Sequence, residues 1–90
     1  MTIENKEFEI VNRLGLHARA AAQLVQTANR FLSDVTIEKD GNDVNGKSIM
    51  GLLMLAAPQG SRVSVTVSGE DAEEAMKVIG TLINDGFGED

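Results

Sequence analysis

The 90-residue sequence has no cysteine, tryptophan or tyrosine, and only one histidine, one proline and three phenylalanines. Without cysteine there is no disulfide, no thiol nucleophile and no thiolate metal ligand. Such a composition suits a reducing compartment. A lone histidine with no thiolate beside it does not assemble a metal site, so neither a metal nor a cofactor is expected. Scarce aromatics leave stability to aliphatic packing. Long apolar runs are missing as well: the richest stretch, "IMGLLMLAAP", is about half the length needed to span a bilayer. The opening "MTIENKEFEI" has no apolar segment of the kind that marks a signal peptide. A soluble cytoplasmic protein with no direct membrane insertion is the expectation.

Positive charge is also in short supply, with 8 Lys and Arg against 14 Asp and Glu, a formal net charge of −6. A field of that sign repels phosphate backbones and anionic lipid, which argues against nucleic-acid binding. It leaves room for a small local patch of the opposite sign. At 42% hydrophobic and 24% charged residues, the chain has an ordinary globular composition. Its length fits one domain over residues 1–90, expected as a monomer. A chain of this size buries only about 60–65% of its unfolded surface, so the core must be economical.

What is present is strong periodicity. "KEFEIV" places Phe8 and Ile10 two apart with Glu7 and Glu9 between them, the alternation of a half-buried strand. Gly15 breaks that run. From Ala18 onward, Ala21, Leu24, Val25, Ala28, Phe31 and Leu32 recur at spacings of three and four, which predicts an amphipathic helix ending at Ser33-Asp34. Val35 and Ile37 alternate with Thr36 and Glu38, and Asp40-Gly41 signals a tight hairpin into a short strand around residues 43–45. Ser48 precedes Ile49, Leu52, Leu53 and Ala56, a short helix closed by Pro58 and Gly60. "RVSVTVS" is a strand with three valines on one face. Ser68 or Asp71 can then cap a helix whose apolar face runs from Ala72 to Ile83, with Gly86 as its stop. The order is β-α-β-β-α-β-α. Each strand has one apolar and one polar face, so an α+β fold is expected, a four-stranded antiparallel sheet with three helices on one side.

The segment "RLGLHARAAAQLV" holds the only histidine, His17, at the start of the first helix. The NH groups of Ala18, Arg19 and Ala20 lack intrahelical acceptors there. Together with the positive end of the helix dipole they form a potential anion site, and Arg19 adds a cation whose fork fits phosphate. Imidazole ordinarily titrates near pH 6.5, so a neutral ring with a lone pair able to attack phosphorus is available at neutral pH. The alternative is plain: a histidine near a helix start is commonly just a surface residue, and Arg19 a solvated side chain. Spacing alone does not decide between the two.

Two motifs together carry a family resemblance. "GLHARAA" followed by an apolar helix resembles the active-site segment of the HPr family, the histidine-containing phosphocarriers of bacterial phosphotransferase systems. "NGKSIMGLLMLAAPQGSRVSVTVSGEDAEEAM" resembles the second signature of that family, and the element order over the whole chain is that of its open-faced sandwich. The resemblance implies that His17 is phosphorylated on Nδ1 by enzyme I, which draws on phosphoenolpyruvate. It implies that Arg19 steadies the phosphoryl group, and that acceptors are histidines of enzyme IIA-type domains. It makes Ser48 the serine modified in many bacteria by a dedicated kinase (HPr kinase/phosphorylase). Such a carrier is not itself an enzyme and needs no substrate pocket. Ala20 departs from the pattern, since the family usually has proline there, which touches the rigidity of the helix entrance. The acidic "NDGFGED" ending resembles the nitrogen-related branch as much as the sugar-transport one.

Partners should dock around His17, on the small Ala18 and Ala22 and on Ile49, Met50, Leu53 and Met54, which exceed what one buried face of a short helix needs. Tight packing of that helix would account for part of the run instead. Ser48 is also simply a favoured N-cap. Two other functions fit the pattern less well. One is a regulatory adaptor that binds other proteins in its His17- or Ser48-modified state; the His17–Arg19 pair favours the carrier over it. An RNA-binding ferredoxin-like domain shares part of the element order, but the net acidity and strands without stacking aromatics oppose it.

Overall fold

The computed structural model describes residues 2–89. Its elements are β1 (Thr2–Glu9), α1 (Ala18–Ala28), β2 (Asp34–Lys39), β3 (Asn42–Asn45), α2 (Ile49–Leu55), β4 (Arg62–Gly69) and α3 (Ala72–Asn84), followed by a short helical turn, Gly86–Gly88. The strands form one sheet in the order β1-β4-β2-β3. All its pairings are antiparallel: β1 on β4 from Thr2–Gly69 to Glu9–Arg62, β4 on β2 from Ser68–Asp34 to Ser64–Glu38, and the β2–β3 hairpin from Thr36–Asn45 to Lys39–Asn42. The expected α+β sandwich, with the helices on one face, is the architecture found.

The alternation of side chains explains the two faces. Val35, Ile37, Val63, Val65 and Val67 are buried against Leu24, Leu52, Met76, Ile79 and Ile83 of the helices. On the opposite face the Asn5 amide donates to Ser64 Oγ at 3.0 Å and Thr66 Oγ1 at 2.8 Å, so that face remains polar and open. The Asp40-Gly41 hairpin has positive φ at both central residues, 53° and 85°, the geometry that matches the strand twist.

Two boundaries and one cap differ from the sequence expectation, each for a local reason. β1 begins at Thr2 and ends at Glu9, so Ile10 and Val11 lie beyond it. Ile10 is nevertheless fully buried, because its NH donates to Ser61 O and its carbonyl accepts from Gly60 NH, pinning it against the α2–β4 connection. α1 stops at Ala28 rather than at Ser33-Asp34, and Leu32 is 84% exposed. After Asn29 the chain tightens through the Arg30 NH–Thr27 O and Phe31 NH–Ala28 O bonds. The Asp71 carboxylate then accepts from the NH groups of Leu32 and Ser33 and from Ser33 Oγ. Those bonds draw the segment off the helix axis. They also explain the third difference. Asp71 stands at the N-cap of α3, but its side chain makes no capping bond there because it is committed to the Leu32–Ser33 loop.

The Ser33 hydroxyl, the Leu32 NH and the remaining backbone donors hold the Asp71 carboxyl below the usual carboxylate range, against a smaller effect of desolvation. A depressed folded-state value means that the stabilisation is fully present above the ordinary aspartate range and is lost as pH falls below it, through the lowered folded-state value. An Asp71→Asn variant should be less stable than the parent at neutral pH, and the gap should close as urea midpoints are followed into acid.

The turn before α1 packs closely against backbone. Gly15 has φ of +69°, and a Cβ there would lie 2.5 Å from Ala57 O and 2.9 Å from Pro58 Cα. Both obstacles are main chain and cannot rotate away. Replacing Gly15 by Ala therefore adds left-handed strain to a clash. Urea denaturation of Gly15→Ala should show a loss of about 2 kcal/mol or more.

Candidate functional site

The sequence between β1 and α1 builds a compact corner. Gly15 NH donates to Asn12 O at 3.1 Å, Leu16 NH to Ala57 O at 2.8 Å and His17 NH to Gly15 O at 2.9 Å. Leu16 is buried and acts as the plug of the corner. His17 follows with extended backbone, φ −82° and ψ −176°, and its carbonyl accepts from Ala21 NH at 2.8 Å, the first bond of α1. That makes His17 the N-cap residue. Ala18, Arg19 and Ala20 are the first three helical positions, whose NH groups have no acceptor within the helix.

The ring of His17 caps the helix in an unusual way. Its Nδ1 accepts from Arg19 NH at 3.4 Å, longer than an ordinary hydrogen bond and correspondingly weak. Its Nε2 lies 2.8 Å from Glu89 Oε2 and 3.0 Å from Oε1. The side chain is 27% exposed, enough to be approached from solvent. One nitrogen thus faces the open helix end, and the other faces a carboxylate on the far side of the ring.

Glu89 is itself held from beneath. Asn12, buried at 1% exposure, donates through Nδ2 to Gly15 O at 2.8 Å and to Glu89 Oε1 at 2.9 Å. The Glu89 carboxyl lies below the usual carboxylate range. The Asn12 bond is the main cause, followed by the His17 bond and the charges of His17 and Arg19, with partial desolvation opposing them. The Gly86–Gly88 turn delivers Glu89 to this position. Phe87 within it is buried yet has φ of +58°, a conformation that costs a bulky residue on the order of 1–3 kcal/mol.

Of the residues singled out in the sequence, His17, Ala18, Arg19 and Ala20 come together at the start of α1. Ala18 and Arg19 are exposed, Ala22 is half-buried and Ala20 is buried in the core. Ser48 lies elsewhere: it is the N-cap of α2, its Oγ accepting from Gly51 NH at 3.1 Å. The end of α2 that meets the His17 corner is the other one, through Ala57 and Pro58. A seven-residue helix separates the two ends, about 10 Å of axis. Along α2, Leu52 and Leu55 are buried, Leu53 packs partly against the core, and Ile49, Met50 and Met54 are exposed, the two methionines at 68% and 78%.

Four further residues matter that periodicity did not flag. Asn12 and Glu89 are ordinary polar residues in the sequence, 77 positions apart, and no spacing rule joins them. Val11 and Leu14, on either side of Asn12, are exposed apolar residues at the same corner. Among the described residues no group of three His, Cys, Asp or Glu side chains could hold a metal ion, and no helix is long and apolar enough to cross a membrane.

Known proteins share this fold and much of this sequence. The family model for the HPr component of the phosphotransferase system, described as its phosphorylation site, matches residues 4–85. The phosphocarrier protein HPr of Neisseria meningitidis is 50% identical over 84 residues, covering 93% of this chain and 94% of that protein. A crystal structure of HPr from Thermoanaerobacter tengcongensis superposes with a TM-score of 0.93 at 47% identity, covering 97% of this chain and 98% of the other. The Crh protein of Bacillus subtilis, crystallised as a domain-swapped dimer, superposes with a TM-score of 0.76 at 46% identity over 90% and 93% of the two chains. A fold built around one histidine at a helix entrance and a family match across nearly its full length lead to one conclusion: the chain belongs to the HPr family of phosphocarrier proteins of the phosphotransferase system.

Proposed function

We propose that His17 is the phosphoryl acceptor, taking the group from enzyme I on Nδ1 and passing it to histidines of enzyme IIA-type domains. The observation that carries this reading is the orientation of the ring, with Nδ1 turned toward the free NH groups of α1 and Nε2 engaged elsewhere. Attack by the Nδ1 lone pair forms an N–P bond as the bond from phosphorus to the donor breaks with its electron pair. The 3.4 Å contact to Arg19 NH is weak enough to be given up easily. That NH and its neighbours on Ala18 and Ala20 can then donate to phosphoryl oxygens instead, where the helix dipole favours negative charge. Arg19, exposed in the first turn of α1, supplies a full positive charge whose fork fits a phosphoryl group. With Ala rather than the family's usual proline at position 20, the entrance keeps one more NH donor.

The molecule works as a carrier and not as an enzyme, over a single domain of residues 1–90 and as a monomer in the cytoplasm. Alignment of donor and acceptor comes from two docked proteins in turn. The exposed Ile49, Met50 and Met54, with Ala18 and Ala22, supply an apolar surface that different partners can share, methionine being the side chain that adapts most readily. Leu53, partly turned to the core, contributes less of it.

Ser48 is the proposed regulatory site for an HPr kinase/phosphorylase. A phosphate there brings nearly two negative charges directly before Ile49 and Met50, and weakens docking by desolvation and by repulsion of acidic partner groups.

Incubation with enzyme I and phosphoenolpyruvate, followed by intact-mass analysis, should add one acid-labile phosphate to the parent chain and none to His17→Ala. A chain left unmodified by a competent enzyme I would overturn the carrier reading; partner binding that survives His17→Ala would favour the adaptor. A Ser48→Asp variant should keep the fold yet accept the phosphoryl group from enzyme I roughly tenfold more slowly, a barrier increase of about 1.4 kcal/mol. Equal rates for the two chains would remove Ser48 from the scheme.

A further inference from the structure

Glu89 lies outside the motif that contains His17, and nothing in the helix-entrance chemistry calls for it. It nevertheless makes the shortest contact of the ring, 2.8 Å from Nε2, while the helix itself offers Nδ1 only a 3.4 Å contact. An ionised carboxylate can only accept hydrogen bonds. A ring carrying its proton on Nδ1 would turn the bare Nε2 lone pair against two carboxylate oxygens and Nδ1–H against the Arg19 NH. The neutral ring beside Glu89 therefore carries its proton on Nε2, and the free lone pair is on Nδ1.

The carboxylate is not placed by chance. Asn12 Nδ2 stands between two acceptors, Gly15 O and Glu89 Oε1, and turning the amide over would set its oxygen against both. Its orientation is thereby determined. Asn12 Oδ1 is left buried without a hydrogen-bond partner, a penalty the fold retains at this one amide. Asn12 links the carbonyl of the turn that presents His17 to the carboxylate that holds its ring, and buried Phe87 anchors the segment from the other side.

We propose that Glu89 is a positioning residue for phosphoryl transfer: held by Asn12, it locks His17 in the Nε2–H form and so presents Nδ1 as the nucleophile. The inference rests on His17 being the acceptor. When Nδ1 attacks, the N–P bond forms, the donor leaves with the electron pair of its broken bond, and the ring becomes a phosphoimidazolium still protonated on Nε2. No proton has to leave in that step. The positive charge that develops lies against the Glu89 carboxylate, in the way that a buried aspartate supports the catalytic histidine of a serine protease. On the return step, loss of the phosphoryl group restores the same neutral tautomer.

The test uses the full chain, labelled with 15N. Long-range proton–nitrogen spectra of the neutral ring should show a protonated Nε2 and a bare Nδ1 in the parent. In Glu89→Ala the two nitrogen shifts should move toward each other as the second tautomer becomes populated, while the backbone amide spectrum away from the corner stays unchanged. Phosphorylation by limiting enzyme I should slow roughly tenfold in Glu89→Ala, the usual scale for one charge-assisted hydrogen bond. Glu89→Gln, which keeps the shape and removes the charge, should also be slowed. Ring shifts unchanged in Glu89→Ala, or rates within twofold of the parent in both variants, overturn the proposal. A parent chain that enzyme I leaves unlabelled sinks the acceptor reading and the role of Glu89 with it. A labelled parent with unaffected variants sinks only Glu89.

Discussion

Everything at the working end of this molecule depends on the close approach of Gly15 to the backbone of Ala57 and Pro58. No side chain fits between them, and the Leu16 NH–Ala57 O bond seals the contact. This one junction joins the β1–α1 corner to the connection between α2 and β4. It fixes where α1 begins, and therefore where His17 stands. It also brings the end of α2 to the same corner, so a partner that reaches His17 meets that helix as well. The valine-rich sheet packs the helices from below through one continuous core.

A second constraint acts from the opposite end of the sequence. Phe87 reaches the core only with left-handed backbone, and the strain this carries is offset by burial of a large ring, on the order of 2–3 kcal/mol. The consequence is that Glu89 lies under the imidazole. The same logic governs Asp71, whose carboxylate abandons its own helix to satisfy the Leu32 and Ser33 NH groups. In both cases an acidic side chain serves a loop distant in sequence; for Asp71 that loop offers three donors where the start of its own helix would offer one capping bond.

The electrostatics reconcile an acidic protein with an anionic cargo. The net charge of −6 opposes indiscriminate binding of phosphates. Locally, the open end of α1 faces Nδ1 of His17 and the Glu89 carboxylate faces Nε2, across the width of one imidazole ring, and the Arg19 charge is near enough to act on that carboxylate. A carboxylate so near an anion site would be expected to compete with it. Placed on Nε2, it acts on the ring rather than on the phosphoryl group.

Much was legible from the residues alone. Alternating valines, the Asp40-Gly41 pair and the three-and-four spacing of alanines and leucines determined strands, hairpin and helices, because burial on one face imposes a period that any reader can count. The "GLHARAA" segment placed His17 at a helix entrance, since capping is a local affair of a few residues. What local pattern could not decide is where α1 ends, which carboxylate serves which loop, and which side chain meets the second ring nitrogen. Asn12, Glu89 and His17, like Asp71 and Ser33, are joined by contacts across 38 to 77 positions. Such contacts have no period and no spacing. They exist only once the core has closed and brought those backbones together, so tertiary structure alone decided how the ring of His17 is held.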